Sequence, residues 1–255
     1  MDNSKDNWLR FPRPNKEASL RLFCFPYAGG GASIFQTWPA QLPRQVEVCA
    51  VQLPGRENRL KEAPFTKLEP LVEYLLDVLH PYLDKPFALF GHSMGAIIAF
   101  KFAHQVRRKY KLTPVHLFAS AREAPSVPLN RNPPFFRLSK STFIERLRDL
   151  KGTPEELLDN PELLDVLLPV LRADFEIDET YVHTPSELLD CPISTFRGTQ
   201  DTLATYDEVA AWRTESNGTF TLRSLPGGHF FIQTAKELFL QILSYDLSTH
   251  FKNIQ

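Results

Sequence analysis

The sequence predicts an α/β fold built on a mostly parallel central sheet flanked by helices. Short apolar runs alternate with amphipathic helical stretches along most of the chain, the pattern of repeated βαβ units. At 255 residues, 43% hydrophobic and 23% charged, the chain carries enough apolar material for a sizeable core and does not have a disordered composition. One interval, residues 122–189, has helix-start signals but no buried-strand signal, so the expectation is one domain over 1–255 with a helical insertion inside it.

The strands are expected at Leu20–Phe25, Val46–Val51, 87–90, 115–119, 193–197 and Phe220–Leu225, each a short run of apolar or β-prone residues. Helices are expected at 34–41, 68–83, Met94–Tyr110, 206–214 and 230–245, where apolar residues recur at helical spacing. Inside the insertion, Thr142 with Glu145 and Thr153 with Pro154 and Glu156 fit a side-chain cap followed by an acid three residues on. Asn160 before Pro161 fits a cap with proline in the first turn. The stretch 125–136, with prolines at 125, 128, 133 and 134, cannot continue a helix and is expected to form a flexible lead-in.

Charge and cysteine content exclude several classes. Lys plus Arg is 29 against 30 for Asp plus Glu, a net charge of −1, so there is no basic field for a phosphate backbone and no nucleic-acid partner is expected. Cys24, Cys49 and Cys191 are an odd number, far apart, and without spaced histidines, which argues against a disulfide framework or a metal site. Residues Met1 to Pro14 hold Asp2, Lys5, Asp6 and Arg10, and no stretch reaches about 18 uninterrupted apolar residues. The expectation is a soluble, cytoplasmic protein with no membrane association.

The most informative residues are Gly91-His92-Ser93-Met94-Gly95, between the strand at 87–90 and the helix that follows. A G-x-S-x-G pentapeptide in that setting turns so tightly that only small residues fit two places either side of the serine, and the turn lifts the hydroxyl clear. The backbone N–H of Met94, at the helix N-terminus, then faces a developing negative oxygen. A second such donor is expected in the loop Phe25-Pro26-Tyr27-Ala28-Gly29-Gly30-Gly31-Ala32, through the N–H of Ala28. A dinucleotide-binding loop fails at Ile34, where a third glycine is wanted, and no Gly-Lys-Ser/Thr follows; a purely structural glycine turn stays open.

A serine nucleophile needs an imidazole base, held in one tautomer by a carboxylate. His229 directly follows the last expected strand and so belongs at the strands' C-terminal edge. His92 adjoins the nucleophile but is expected to point away. His80 and His104 fall in helix patterns, His116 starts a strand, His183 lies in the insertion and His250 near the end. Asp201 follows the penultimate strand, which gives the order Ser93, Asp201, His229 used by α/β-hydrolases. Asp174, Asp178, Asp190 and Asp207 read as caps or solvated charges.

With these residues in place, the chain resembles the type II thioesterases that accompany non-ribosomal peptide and polyketide synthases, with the medium-chain fatty-acid-synthase thioesterases as near relatives. The matching segments are Phe25-Pro26-Tyr27-Ala28-Gly29-Gly30, Gln52-Leu53-Pro54-Gly55-Arg56-Glu57 with Arg59, Gly91 to Gly95, Leu171-Arg172-Ala173-Asp174 and Gly227-Gly228-His229-Phe230. The resemblance implies an α/β-hydrolase core with a helical lid over 122–189 and a Ser93, Asp201, His229 triad. It further implies hydrolysis of acyl groups from the phosphopantetheine arm of acyl or peptidyl carrier proteins. No cofactor of the chain's own is implied, because the partner carries that arm. Arg56 and Arg59 are expected to pair with acids in a tight turn, and the segment 171–174 to be architectural before it is a substrate contact. Arg131, Arg137, Lys140, Arg146, Arg148 and Lys151 form a candidate docking surface for an acidic carrier, or else an ordinary solvated helix face. A carboxylesterase or lipase acting on free esters, and a non-catalytic acyl-binding protein, are the other readings.

Overall fold

The computed structural model describes residues 7–129, 132–185 and 187–251. Strands β2 (Leu20–Phe25), β3 (Val46–Val51), β4 (Phe87–His92), β5 (His116–Ser120), β6 (Ile193–Gly198) and β7 (Phe220–Leu225) lie parallel in one sheet. A short β1 (Leu9–Arg10) pairs antiparallel with β3, giving the order β1-β3-β2-β4-β5-β6-β7. The central strands read as continuous apolar runs because both faces are covered. Along β2, Leu22 and Cys24 join one core with Val48, Ala50, Ala88 and Phe90, while Phe23 and Phe25 join the opposite core with Cys49, Val51 and Leu89.

Helix α1 (Leu68–Leu79) buries Leu68, Leu71, Val72, Leu75, Leu76 and Leu79, a stripe at helical spacing, on the second of these faces. It stops short of the expected residue 83. Pro81 lacks an N–H, and the chain tightens into a 3₁₀ turn over His80–Tyr82. Helix α2 (Met94–Tyr110) matches its expected bounds and packs on the same face. The expected helix at 34–41 is instead two 3₁₀ turns, Ala32–Phe35 and Trp38–Ala40, with Pro39 inside the second.

Between β5 and β6 the described residues form helices α3 (Lys140–Leu150), α4 (Glu155–Leu158) and α5 (Pro161–Glu179). Their apolar faces make a separate cluster of Phe143, Leu147, Leu158, Leu164, Leu168, Leu171 and Phe175. Two caps differ from expectation. Ser139, not Thr142, caps α3 by accepting the Thr142 N–H, and α4 begins after Pro154 rather than Thr153. Asn160 does cap α5, accepting from Glu162 and Leu163 N–H with Pro161 at the first position. Residues 130–131 of the proline-rich lead-in lie outside the described residues.

After the sheet resumes, α6 (Tyr206–Ala210) continues as a 3₁₀ turn over Ala211–Thr214. The expected helix at 230–245 breaks at Ala235 into α7 (Phe231–Thr234) and α8 (Lys236–Ser248). Helix α8 sends Phe239, Leu240, Leu243 and Leu247 into the core on the face opposite α1 and α2. The three cysteines are free and buried. No helix among the described residues is long and apolar enough to cross a membrane.

Candidate active site

Parallel pairing puts the C-terminal ends of β2, β4, β6 and β7 on one edge of the sheet, where ligands bind in open α/β folds. Ser93 sits in the single step between β4 and α2, with φ 53° and ψ −121°. Such a conformation is strained for a residue with a side chain and persists only where the surroundings impose it. Here they do: a Cβ on Gly91 would overlap the Gly95 carbonyl, and one on Gly95 would overlap the Phe25 carbonyl. The Ser93 N–H donates to Ser120 O at 2.7 Å, tying the turn to β5.

His229 arrives from the turn after β7 and Asp201 from the turn after β6. His229 Nε2 lies 3.0 Å from Ser93 Oγ, and His229 Nδ1 lies 2.9 Å from Asp201 Oδ2. The three residues chosen from sequence therefore meet in one hydrogen-bonded chain, with Asp201 only 6% exposed. Burial opposes the Asp201 carboxylate. The hydrogen bond and charge of His229, with the N–H groups of Leu203 at 2.9 Å and Ala204 at 3.4 Å, outweigh it and hold Asp201 below its ordinary range. Asp201 is thus an anion at neutral pH and an acceptor for the His229 Nδ1–H, which leaves Nε2 free to accept a proton from Ser93.

Ala28 and Met94 line the same chamber as Ser93 and His229. Met94 is the first residue of α2, so its N–H has no carbonyl one turn back. Ala28 is the second residue of a tight turn in which Gly30 N–H donates to Tyr27 O at 2.9 Å. The insertion supplies the far wall through Leu147, Leu150, Gly152, Leu171 and Phe175, so the chamber is largely apolar apart from Ser93, His229, Asp178, Thr153 and Tyr27.

This geometry is matched by relatedness. Residues 20–245 fit the thioesterase-domain family model. The chain belongs to the thioesterase family. It is 42% identical over 242 residues to the gramicidin S biosynthesis protein GrsT of Aneurinibacillus migulanus, covering 95% of this chain and 94% of GrsT. Among solved structures it resembles the RedJ thioesterase of the prodiginine pathway in Streptomyces coelicolor, with TM-score 0.85, 42% identity and coverage of 89% and 90% of the two chains. It also resembles the type II thioesterase BorB of the borrelidin cluster, with TM-score 0.86, 36% identity and coverage of 94% and 97%. The α/β-hydrolase fold expected from the sequence is the fold this thioesterase shares with them.

Around these three hydrogen-bonded residues, two acids depart from expectation. Asp174 and Asp178 are not solvated charges; they are 1% and 3% exposed, one turn apart on α5. Asp174 takes a two-pronged bond from Arg56, at 2.6 and 2.9 Å, and Asp178 pairs with Arg122. Removing one member of such a pair strands a buried charge, at a cost of about 3–5 kcal/mol. The expected pairing of Arg56 and Arg59 is present, Arg59 with Glu62. The pairing was legible in the Pro54-Gly55-Arg56 turn, but its partner on α5 was not.

His92 sends Nδ1 to Ser120 Oγ at 2.9 Å, and burial, then the nearby charge of His229, pushes its pKa well down. Of the candidate docking cations, Lys140 pairs with Asp165, Arg146 with Asp149, and Arg148 with Glu155 and Asp159. Arg131 lies outside the described residues.

Proposed function

We propose that this chain hydrolyses acyl thioesters held on the phosphopantetheine arm of acyl or peptidyl carrier proteins, with Ser93, His229 and Asp201 as its triad. The observation that carries the reading is the unbroken chain from Ser93 Oγ through the His229 ring to Asp201, at 3.0 and 2.9 Å, on the floor of an apolar chamber. Membership of the thioesterase family supplies the bond class. The solved relatives described as pathway thioesterases support a carrier-borne substrate, which implies work in the cytoplasm beside a synthase.

Ser93 Oγ attacks the thioester carbonyl carbon while its proton passes to His229 Nε2, and Asp201 holds the imidazolium through Nδ1. The negative oxygen of the tetrahedral adduct lies between the N–H groups of Ala28 and Met94. Collapse of the adduct breaks the carbon–sulfur bond, and the phosphopantetheine thiol departs with the proton from His229. Water then attacks the acyl-serine with His229 as base, releasing the acid and restoring Ser93. A thiolate leaves more readily than an amine, so less of the rate rests on leaving-group protonation and more on the two oxyanion donors.

The test is hydrolysis of a panel of acyl- and peptidyl-carrier proteins with short and long acyl groups, by wild type and Ser93→Ala. Wild type is expected to release acyl groups and Ser93→Ala to be inactive. Equal turnover of simple oxygen esters without a carrier would point to a carboxylesterase. Failure of a fluorophosphonate to label Ser93 would point to a non-catalytic acyl-binding protein.

A further inference from the structure

The loop that carries the Ala28 N–H holds its shape through side chains far away in sequence. Gly29 has φ +78°, and with the Gly30 N–H to Tyr27 O bond this is the signature of a type II turn over residues 27–30. The middle peptide of such a turn, between Ala28 and Gly29, can flip to the type I arrangement, which turns the Ala28 carbonyl and the Gly29 N–H over and loosens the turn that carries Ala28. Asp174 blocks the flip, because its Oδ2 accepts the Gly29 N–H at 2.7 Å.

The same carboxylate is fixed in turn. Arg56 Nη1 and Nη2 hold both of its oxygens, Nη1 also donates to Gly30 O at 3.1 Å, and Arg56 Nε donates to Pro54 O at 3.2 Å. Gln52 completes the clamp, donating to Arg56 O at 3.2 Å while its Oε1 accepts the Ala32 N–H at 2.8 Å. The loop is thus gripped at Gly29 N, Gly30 O and Ala32 N, on the positions that follow Ala28.

From this arrangement we infer that Asp174 and Arg56 are positioning residues for the oxyanion donor: by holding Gly29 N–H and Gly30 O the buried pair fixes the turn that carries Ala28, and with it the placement of the Tyr27–Ala28 peptide whose N–H serves the chamber. The inference rests on the functional reading in placing the oxyanion beside Ala28. It also makes α5 more than a wall. Leu171 on the same helix packs against Gly29, where a Cβ would overlap it. The helix that closes the chamber therefore sets the turn that stabilises the reaction's charge. A pair that only anchored the insertion would affect folding and substrate capture. A pair that aims a donor affects the transition state.

The experiment measures kcat, KM and the affinity of an acyl trifluoromethyl ketone, which forms a tetrahedral adduct on Ser93, for wild type, Asp174→Asn and Arg56→Lys. Circular dichroism checks the fold of each. Asp174→Asn is expected to lower kcat about a hundredfold, the scale of one lost oxyanion donor. KM should stay within about threefold, and ketone affinity should fall in step with kcat, since both read stabilisation of the tetrahedral state. Arg56→Lys keeps the charge but not the fork, and about a tenfold loss of both is expected. A folded variant with unchanged kcat, or one whose loss lies in KM with ketone affinity intact, overturns the inference. Should Asp174→Asn not fold, Arg56→Lys decides by the same criteria. If wild type hydrolyses no thioester, the functional reading fails by itself, and the positioning role is then read from the rate of fluorophosphonate labelling of Ser93, which needs the same donors. Equal labelling of wild type and variants overturns it there too.

Discussion

The imidazoles of His92 and His229 lie with their ring centroids 5.5 Å apart, and only His229 bonds Ser93. The two rings sit in different electrostatic settings. His229 faces the Asp201 anion, while His92 is fully buried, bonded to Ser120 Oγ and kept neutral by burial and by its neighbour. Neutrality at His92 bears on the proposed role of His229 as base, because a second cation at this distance would oppose an imidazolium there. On the proposed mechanism, His92 is a neutral neighbour of the base.

Buried neutral histidines also set how stability depends on pH. His116 stacks on Phe118 and contacts His250 and Ser194. Burial first, then His250 and Arg223, lower its pKa from 6.5 to about 3, while Asp246 closes the group by accepting from Ser194. Burial likewise brings His104 to about 4. Below the ordinary value of 6.5 the unfolded chain takes up protons that the native protein refuses, so stability falls as pH drops from 6.5 toward these folded values. Urea midpoints measured from pH 7 to pH 4.5 should decline. His116→Gln, which keeps the polar contacts but cannot titrate, should flatten the slope by about 1.4 kcal/mol per pH unit. An unchanged slope would count against the neutral His116.

Asp201→Asn separates holding the imidazole from merely packing beside it. The amide can still accept from Leu203 N–H, so the fold and urea midpoint should change little. It no longer offers an anion to His229 Nδ1–H, and kcat should fall by about 10⁴ if the tautomer argument established for serine proteases transfers. KM should stay within a few-fold. Stopped-flow thioester hydrolysis reads the difference, and a loss below tenfold would remove Asp201 from the triad.

The residues that meet at the site were legible because each follows a strand of a parallel sheet, and parallel strands deliver their following turns to one edge. Gly91 and Gly95 flagged the turn, and Asp201 and His229 were legible as the acid and histidine that follow the last two strands, in the order α/β-hydrolases use. What stayed hidden depends on pairings across the chain. Asp174 and Asp178 sit four apart on an amphipathic helix and look like a solvated face. Their burial is decided by Arg56 and Arg122, 118 and 56 residues away in sequence. Strand β1, two residues long, has no period to read. The helix at 34–41 failed for a local reason that the sequence did contain, Pro39.

The elbow glycines give a stability prediction independent of chemistry. A methyl at Gly95 meets the backbone carbonyls of Phe25 and Pro26 rather than a side chain that could rotate away. Gly95→Ala must push α2 from β2, and overpacking against fixed backbone costs about 1–3 kcal/mol or more. Urea unfolding of the purified variant should show that loss together with weak Ser93 labelling. A variant as stable as wild type would mean that the turn is looser than this packing implies.

Phe230 offers a test of what sizes the chamber. Its ring packs edge-on against Tyr27 at 4.9 Å and His229 at 5.2 Å, and it occupies the space a Cβ on Gly152 would need, so the α3–α4 turn is seated directly on it. Removing the ring leaves the His229 bonds to Asp201 and Ser93 in place but opens apolar space between His229 and the insertion. Each methylene an acyl chain buries there is worth about 1–3 kcal/mol in kcat/KM. Phe230→Ala should therefore raise the ratio of long-chain to short-chain kcat/KM by at least about tenfold, with short-chain kcat changed much less. Competition between two acyl thioesters differing only in chain length measures that ratio directly. An unchanged ratio would place the chain-length limit elsewhere, toward Leu147 and Phe175 on the opposite wall.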